Sequence, residues 1–289
     1  MKIVNTIGGL GNQMFCYAFA LALKEKHNEK VFVDISHFNN YDLHDGFLIN
    51  EIFNVQEINI SSKKEIKSLS RYIPHYKLSR IFRKLLPKKS TEYIEKQDYV
   101  YDNLAMSVKG DCYYEGYWQS PLYFDNIKPS VKKMFTFPKS FGENKDIEVL
   151  MGNVDSVSIH VRRGDYLNHK SFVGICELDY YERAINNVKK KIKDPHYFIF
   201  SNDIVWCKEN LSSILDTDKV QFVSHNQGSK SYWDMYLMSC SKNMIIANSS
   251  FSWWAAYLNQ YDNAYIISPV KWVNRSYNTD VHPSSWVLI

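Results

Sequence analysis

An apolar run, Val157-Ser-Ile-His-Val161, ends in two adjacent arginines, Arg162 and Arg163, followed by Gly164 and Asp165. Guanidinium groups at the end of a buried strand need anionic partners, because an unpaired charge out of water is costly. The planar guanidinium matches a pair of phosphate oxygens. Neighbouring side chains on an extended backbone point to opposite faces. Arg162, on the side of His160, is therefore expected to reach a phosphate, with Arg163 held by Asp165 or another buried acid. A surface ion-pair cluster is the plainer alternative, disfavoured by the apolar strand that leads into it.

A second constellation, Asn248-Ser249-Ser250-Phe251, follows the apolar Ile245-Ile-Ala247 and precedes Trp253-Trp-Ala-Ala256. Asn and Ser cap helices, and the free N–H groups of a helix start attract anions without a metal. Capping alone would account for these serines. Beside a double-arginine strand in the same predicted sheet, a phosphate site accounts for both.

The third is Gly8-Gly-Leu-Gly11-Asn12-Gln13 between an apolar strand and a helical run. Read as a dinucleotide fingerprint it has two of three glycines, and Asp34 stands where a ribose-binding acid would. Met14 occupies the third glycine position and would crowd the helix against the strand. An NAD-dependent oxidoreductase is the alternative from a different functional class. It leaves the double arginine unexplained. Gly11, Asn12 and Gln13 read instead as acceptor-binding groups presented to a cleft.

These motifs need a framework. Ile3–Thr6 reads as a strand, Asn12 to His27 as a helix and Lys30–Asp34 as a strand, a β-α-β opening. A strand is expected over Tyr113–Trp118, and Phe137-Pro138 with the polar run to Asp146 reads as a boundary region. Beyond it, strands at Val157–Val161, Tyr197–Phe200, Val220–Val223, Met244–Ala247 and Ala264–Ser268 alternate with helices at Tyr180–Ile192, Ser231–Cys240 and Phe251–Leu258. Such alternation implies parallel sheets covered on both faces. The expected fold is α/β, two Rossmann-like domains facing a cleft, spanning residues 1–150 and 151–289.

A net charge of +4 permits an anionic ligand without pointing to nucleic acid. Much of the excess lies between Ser62 and Lys89, including Lys63, Lys64, Lys67, Arg71, Lys77, Arg80, Arg83, Lys84, Lys88 and Lys89. A solvated helical face is the plain reading. Contact with an anionic surface such as an inner membrane leaflet is the alternative. Five scattered cysteines without a C-x-x-C pair argue against a disulfide framework and a zinc site. The apolar stretch Met14–Leu23 is too short to span a bilayer, so a cytoplasmic protein is expected. Asp216-Thr-Asp218 has the letters of a metal-binding motif but reads as a turn; neither metal nor cofactor is expected.

Taken together, Gly8-Gly-Leu-Gly-Asn-Gln-Met-Phe15, Glu115-Gly-Tyr-Trp-Gln-Ser120, His160-Val-Arg-Arg-Gly-Asp-Tyr166, Phe200-Ser-Asn-Asp203 and Ala247-Asn-Ser-Ser-Phe-Ser-Trp-Trp254 resemble the inverting α1,2-fucosyltransferases, glycosyltransferase family 11. The resemblance implies a GT-B-like fold whose C-terminal domain binds GDP-fucose and whose N-terminal domain binds a galactose-containing oligosaccharide. It gives Arg162 the task of neutralising the leaving diphosphate, with His160 beside it. Ser249, Ser250 and Phe251 would hold the pyrophosphate, and Ser201, Asn202 and Asp203 would line the same pocket. By similarity Asp234 would read guanine, since a carboxylate accepting from N1–H and N2–H₂ selects GDP over ADP. Tyr117 and Trp118 are candidates for stacking on the acceptor sugar, with core packing equally open. A β-linked donor and an α-linked product require inversion, hence a single displacement with charge stabilisation on the departing GDP. The general base stays open among His160, Asp34, Asp45, Glu115 and water.

Overall fold

Ile3 and Val4 are buried in β1 (Lys2–Asn5), and the chain leaves that strand through Gly8. There φ is +82°, and an added Cβ would lie 2.6 Å from the Asn12 side chain, so only glycine fits. Helix α1 (Leu10–His27) follows, its apolar run Met14–Leu23 buried throughout. Lys24, Lys26 and His27 lie at its negative end, and Asn28 closes it in the left-handed conformation. Strands β2 (Val31–Asp34), β3 (Asn59–Ile60), β4 (Glu92–Ile94) and β5 (Cys112–Glu115) complete a sheet of order β3-β2-β1-β5-β4. All its pairings are parallel. This computed structural model describes residues 1–40, 45–71, 73, 78, 87–215 and 217–289.

Helix α2 (Lys63–Leu69) starts with a capping box between Ser62 and Glu65. It packs Ile66 and Leu69 against Ile3 and Tyr113 while Lys63, Lys64 and Lys67 face solvent. The first part of the basic stretch is thus one face of an amphipathic helix. Lys77, Arg80, Arg83 and Lys84, like Asp216 of the Asp-Thr-Asp triplet, lie outside the described residues.

The second sheet contains β6 (Asp155–Val161), β7 (Pro195–Ser201), β8 (Val220–Val223), β9 (Asn243–Ile245), β10 (Tyr265–Ser268) and β11 (Val287–Leu288). Its order is β11-β10-β9-β6-β7-β8, again wholly parallel. The chain winds from β6 to β8 in one direction, then returns to β9 on the other side of β6. That reversal is the topological switch of doubly wound nucleotide-binding sheets. The sheet is accompanied by α3 (Gly142–Asn153), α4 (Leu178–Lys191), α5 (Ile204–Leu211), α6 (Tyr232–Ser239) and α7 (Ser250–Tyr257). Val157, Ile159 and Val161 bury one face of β6 in a core shared with Tyr181, Ala184 and Val188 of α4.

The chain divides into Met1–Phe137 with Thr279–Val281, and Pro138–Asn278 with His282–Ile289. The division falls ahead of the sequence-based boundary at 150, because α3 is bonded into the second unit: Asn144 exchanges hydrogen bonds with Asn226, and Glu148 accepts from Tyr236. The short return segment is tied to the first unit by Ser120 Oγ donating to the Asp280 carbonyl and by the Tyr101 N–H donating to the Asp280 carboxylate. Among the described residues no helix is long and apolar enough to cross a membrane.

Candidate active site

Every strand from β6 to β8 delivers polar residues to its carboxyl end, and these ends surround a cavity of about 460 Å³. Its lining includes His160 and Arg162 at the end of β6, Ser201 and Asn202 at the end of β7, Asn226 after β8, Asp234 at the start of α6 and Phe251 at the start of α7. The size is that of a small-molecule site, placed where an open α/β sheet binds its ligand.

His160 and Arg162 share a face of the strand and line the cavity together. Burial pushes the His160 imidazole down to about 3, the Arg162 charge adding to the effect. The ring is neutral at physiological pH. Its Nδ1 is buried without a hydrogen-bond partner, and it lies 5.8 Å from the Phe251 ring. So depressed an imidazole is a weak proton acceptor and serves better as a hydrogen-bonding group.

Of the two partners expected for Arg163, Asp165 is not the one, and the acids that do lie beside it are part-exposed. Asp165 holds Arg162, not Arg163, at 2.9 Å across a one-turn 3₁₀ segment (Gly164–Tyr166) that brings the carboxylate back over the preceding strand end. Arg163 points to the other face, 3.6 Å from both Glu177 and Asp203, with its guanidinium 4.1 Å from the centre of the Trp206 ring. Its backbone N–H donates to Asn202 Oδ1. Arg163 thus braces β6 against α5, while Arg162 keeps one side toward the cavity.

The serine motif also divides. Ser249 is the N-cap of α7, its Oγ accepting from the Phe251 N–H at 3.3 Å, and Ser250 is the helix's half-buried first residue. Asn248 is buried, with its amide donating to the Trp272 carbonyl, so that group holds a neighbouring loop instead of facing a ligand. Of this motif Phe251 lines the cavity. Asp203 caps α5 by accepting from the Trp206 N–H, and Ser201 Oγ accepts from the Asp203 N–H.

Asp234 is raised to about 7 by burial, against the pull of the hydrogen bond donated by Asn226. Sequence spacing suggested Asp234 but not Asn226, nor Asn144 behind it. Neither amide stands in a recognisable pattern, and only the packing of α3 brings them to the carboxylate.

The first unit's motif behaves differently. Gln13 is fully buried; its amide donates to the Gly8 and Gly46 carbonyls at 2.9 and 2.8 Å and accepts from the Leu48 N–H at 3.0 Å. It stitches α1 to a loop and presents nothing to a ligand, contrary to the expectation from sequence. Asn12 is half-buried and accepts from Gln119, and Gly11 is buried in the first turn of α1. Trp118 lies in the core, stacked 4.2 Å from Phe19 and edge-on to Tyr114 and Tyr123, so stacking on a sugar is closed to it. The strand expected to reach it stops at Glu115, because Tyr117 and Trp118 turn away and donate their N–H groups to Glu95. Tyr117 stays half-buried. Asp34 is buried and accepts from Tyr113 and from the Ser36 N–H, which removes it as a free base or ribose ligand.

Two parallel α/β units, the second wound as a nucleotide-binding sheet with a polar cavity at its switch edge, define the GT-B-like class of glycosyltransferases. The chain belongs to glycosyl transferase family 11, whose model matches residues 1–289. It is 34% identical to the alpha-1,2-colitosyltransferase of Escherichia coli, over 99% of this chain and 98% of that one. It is 30% identical to the O-antigen biosynthesis glycosyltransferase WbnK of Escherichia coli over 97% of each. With galactoside alpha-(1,2)-fucosyltransferase 2 of Mus musculus it shares 25% identity over 91% of this chain and 70% of the other. The fold matches that of fucosyltransferase NodZ from Bradyrhizobium with a TM-score of 0.52 at 14% identity, over 88% of this chain and 91% of that one. Family membership displaces the oxidoreductase alternative.

Proposed function

We propose that this glycosyltransferase moves L-fucose from GDP-β-L-fucose to the 2-hydroxyl of a terminal galactoside, with inversion and without a metal. The observation that carries the reading is a cation, Arg162, and a carboxyl, Asp234, lining one cavity at the carboxyl edge of the second sheet. A GDP-sugar needs both: positive charge for its diphosphate and an acceptor pair for the N1–H and N2–H₂ of guanine. The acceptor oxygen attacks the anomeric carbon as the bond from that carbon to the phosphate oxygen breaks. The electron pair leaves with GDP, and the hydroxyl proton passes to a base or to water. Arg162 stabilises the charge gathering on the departing diphosphate. His160, neutral and beside it, orients the donor by hydrogen bonding. The α1,2 linkage is supported by the naming of the mouse and colitosyltransferase relatives.

A second donor has a specific observation in its favour, the 34% identity to a colitosyltransferase. Colitose is fucose without its 3-hydroxyl, so the two donors differ at one polar contact. Offering GDP-fucose and GDP-colitose in parallel to a panel of galactosides, with product linkage read by NMR, tests both readings. An α1,2-fucoside is expected, at a rate unchanged by EDTA. A product made from GDP-colitose alone would move the assignment to the second donor, and another linkage would end the α1,2 reading. Loss of activity with EDTA, restored by Mg²⁺ or Mn²⁺, would overturn the metal-free mechanism. We place the reaction in the cytoplasm, with the exposed lysines of α2 available to an anionic membrane surface.

A further inference from the structure

Behind Asp234 stands a closed amide pair. Asn144 Nδ2 donates to Asn226 Oδ1 at 3.1 Å, and Asn226 Nδ2 donates back to Asn144 Oδ1 at 2.9 Å. Both residues are buried. The second N–H of the same Asn226 amide donates to Asp234 Oδ1 at 2.8 Å. His225 Nε2 lies 2.8 Å from Asn144 Oδ1, and Glu143 lies 3.3 Å from His225 Nδ1. An Asn amide has two N–H donors, and here both are committed. Asn226 therefore has no donor left for a ligand, although it lines the cavity. The reciprocal bonds tie the two amides to one relative orientation, and the Asp234 carboxylate, which takes an Asn226 N–H, sets the direction of the pair.

We propose that Asn226, locked by its pairing with Asn144, is a positioning residue that keeps Asp234 an oriented carboxylate toward a guanine edge and so sets the preference for guanine over other bases. The inference rests on the guanine reading of Asp234. A purine with a donor at N1 and an exocyclic amine at C2 needs an acceptor carboxylate; a protonated acid offers one acceptor fewer and a competing donor. A buried carboxyl left to itself favours the protonated form. The Asn226 N–H acts against that by stabilising the anion. Other ionisable groups near Asp234 are Tyr232 and Tyr236 on its own helix, Lys230 in the turn before it, Glu148 and Lys145 on α3, His225 and Glu143 behind the amides, and His160 and Arg162 on the cavity wall. The influences acting on Asp234 are burial and the Asn226 bond.

The test is direct binding of GDP, IDP and ADP to the wild-type protein and to Asp234→Asn, Asn226→Leu and Asn226→Ser, between about pH 5.5 and 8. Wild type is expected to lose GDP affinity as the pH falls through the Asp234 transition, with ADP little affected. In Asn226→Leu that transition should move up by about one pH unit, with GDP affinity at neutral pH down about fivefold and ADP affinity unchanged. Asn226→Ser, smaller and still polar, should fall between the two, and it decides the matter if the leucine variant does not fold. A purely architectural Asn226 would lower the melting temperature and leave the midpoint of the pH profile where it is. That result, with Asp234→Asn losing the GDP-over-ADP preference, overturns the role of Asn226 while the guanine reading stands. If Asp234→Asn keeps the preference, the guanine reading itself fails.

Discussion

The two strand ends that carry the most conspicuous motifs, Gly8–Gln13 after β1 and the His160–Asp165 segment at the end of β6, have opposite fates. At the first, the polar side chains are bonded from within: Gln13 bonds Gly8, Gly46 and Leu48, and Asn12 accepts from Gln119. At the second, His160 Nδ1 and Arg162 Nε are buried without hydrogen-bond partners, next to a cavity. Buried polar groups are normally paired. A motif whose groups satisfy one another specifies a backbone path, whereas unpaired polar atoms beside a cavity keep hydrogen-bonding capacity that a ligand can use.

Arg162→Ala tests the contrast hardest. Turnover should fall about a hundred- to a thousandfold with the melting temperature nearly unchanged, and a variant with near-native turnover would erase the distinction. Gln13→Leu should do the reverse. It strands two carbonyls and one N–H in the interior, which should cost about 2–4 kcal/mol of stability and leave turnover per folded molecule intact. A collapse in turnover at unchanged melting temperature would return Gln13 to the acceptor site.

Asp234→Asn sharpens the picture from the charge side. The carboxyl is raised to about 7 by burial, so the folded protein binds this proton more tightly than the unfolded chain. Its contribution to stability is therefore lost as pH rises from the ordinary Asp range through 7. The asparagine mimics the neutral acid and should stabilise the ligand-free protein at pH 8 by on the order of 1–3 kcal/mol, with no gain near pH 4, while binding GDP more weakly. Equal denaturation midpoints at both pH values would show that the carboxyl is not perturbed. The smallest effect is expected from Trp118→Phe, about 1 kcal/mol of core packing, with KM for the acceptor unchanged; a raised KM would restore the ring to a binding role.

Much of the framework was legible in the residues. Alternating apolar runs announced the parallel strands, and elements such as Val220–Val223 and the helix after Asn248 lie within a residue or two of expectation. The strand end bearing His160 and Arg162 was legible too, because charged residues directly after a buried strand can only emerge at its carboxyl edge. Legibility stopped at partnership. Nothing local distinguishes the Asp165 that pairs with Arg162 from the Asp203 and Glu177 that lie beside Arg163, or shows that Asn248 reaches Trp272.

By itself, then, the order of residues determined the two-unit α/β framework, most of the strands and the family, since periodicity and contiguous motifs are properties of neighbours along the chain; the strand order, with its switch between β6 and β9, came from the fold. Tertiary structure alone decided which motif residues are left available. Trp118 and Gln13 are closed off by Phe19, Gly46 and Leu48, and Asp234 is tuned by Asn226 and, behind it, Asn144 from a distant helix. The physical reason is that hydrogen-bond capacity and burial depend on what folds against a group, and those neighbours come from far along the sequence.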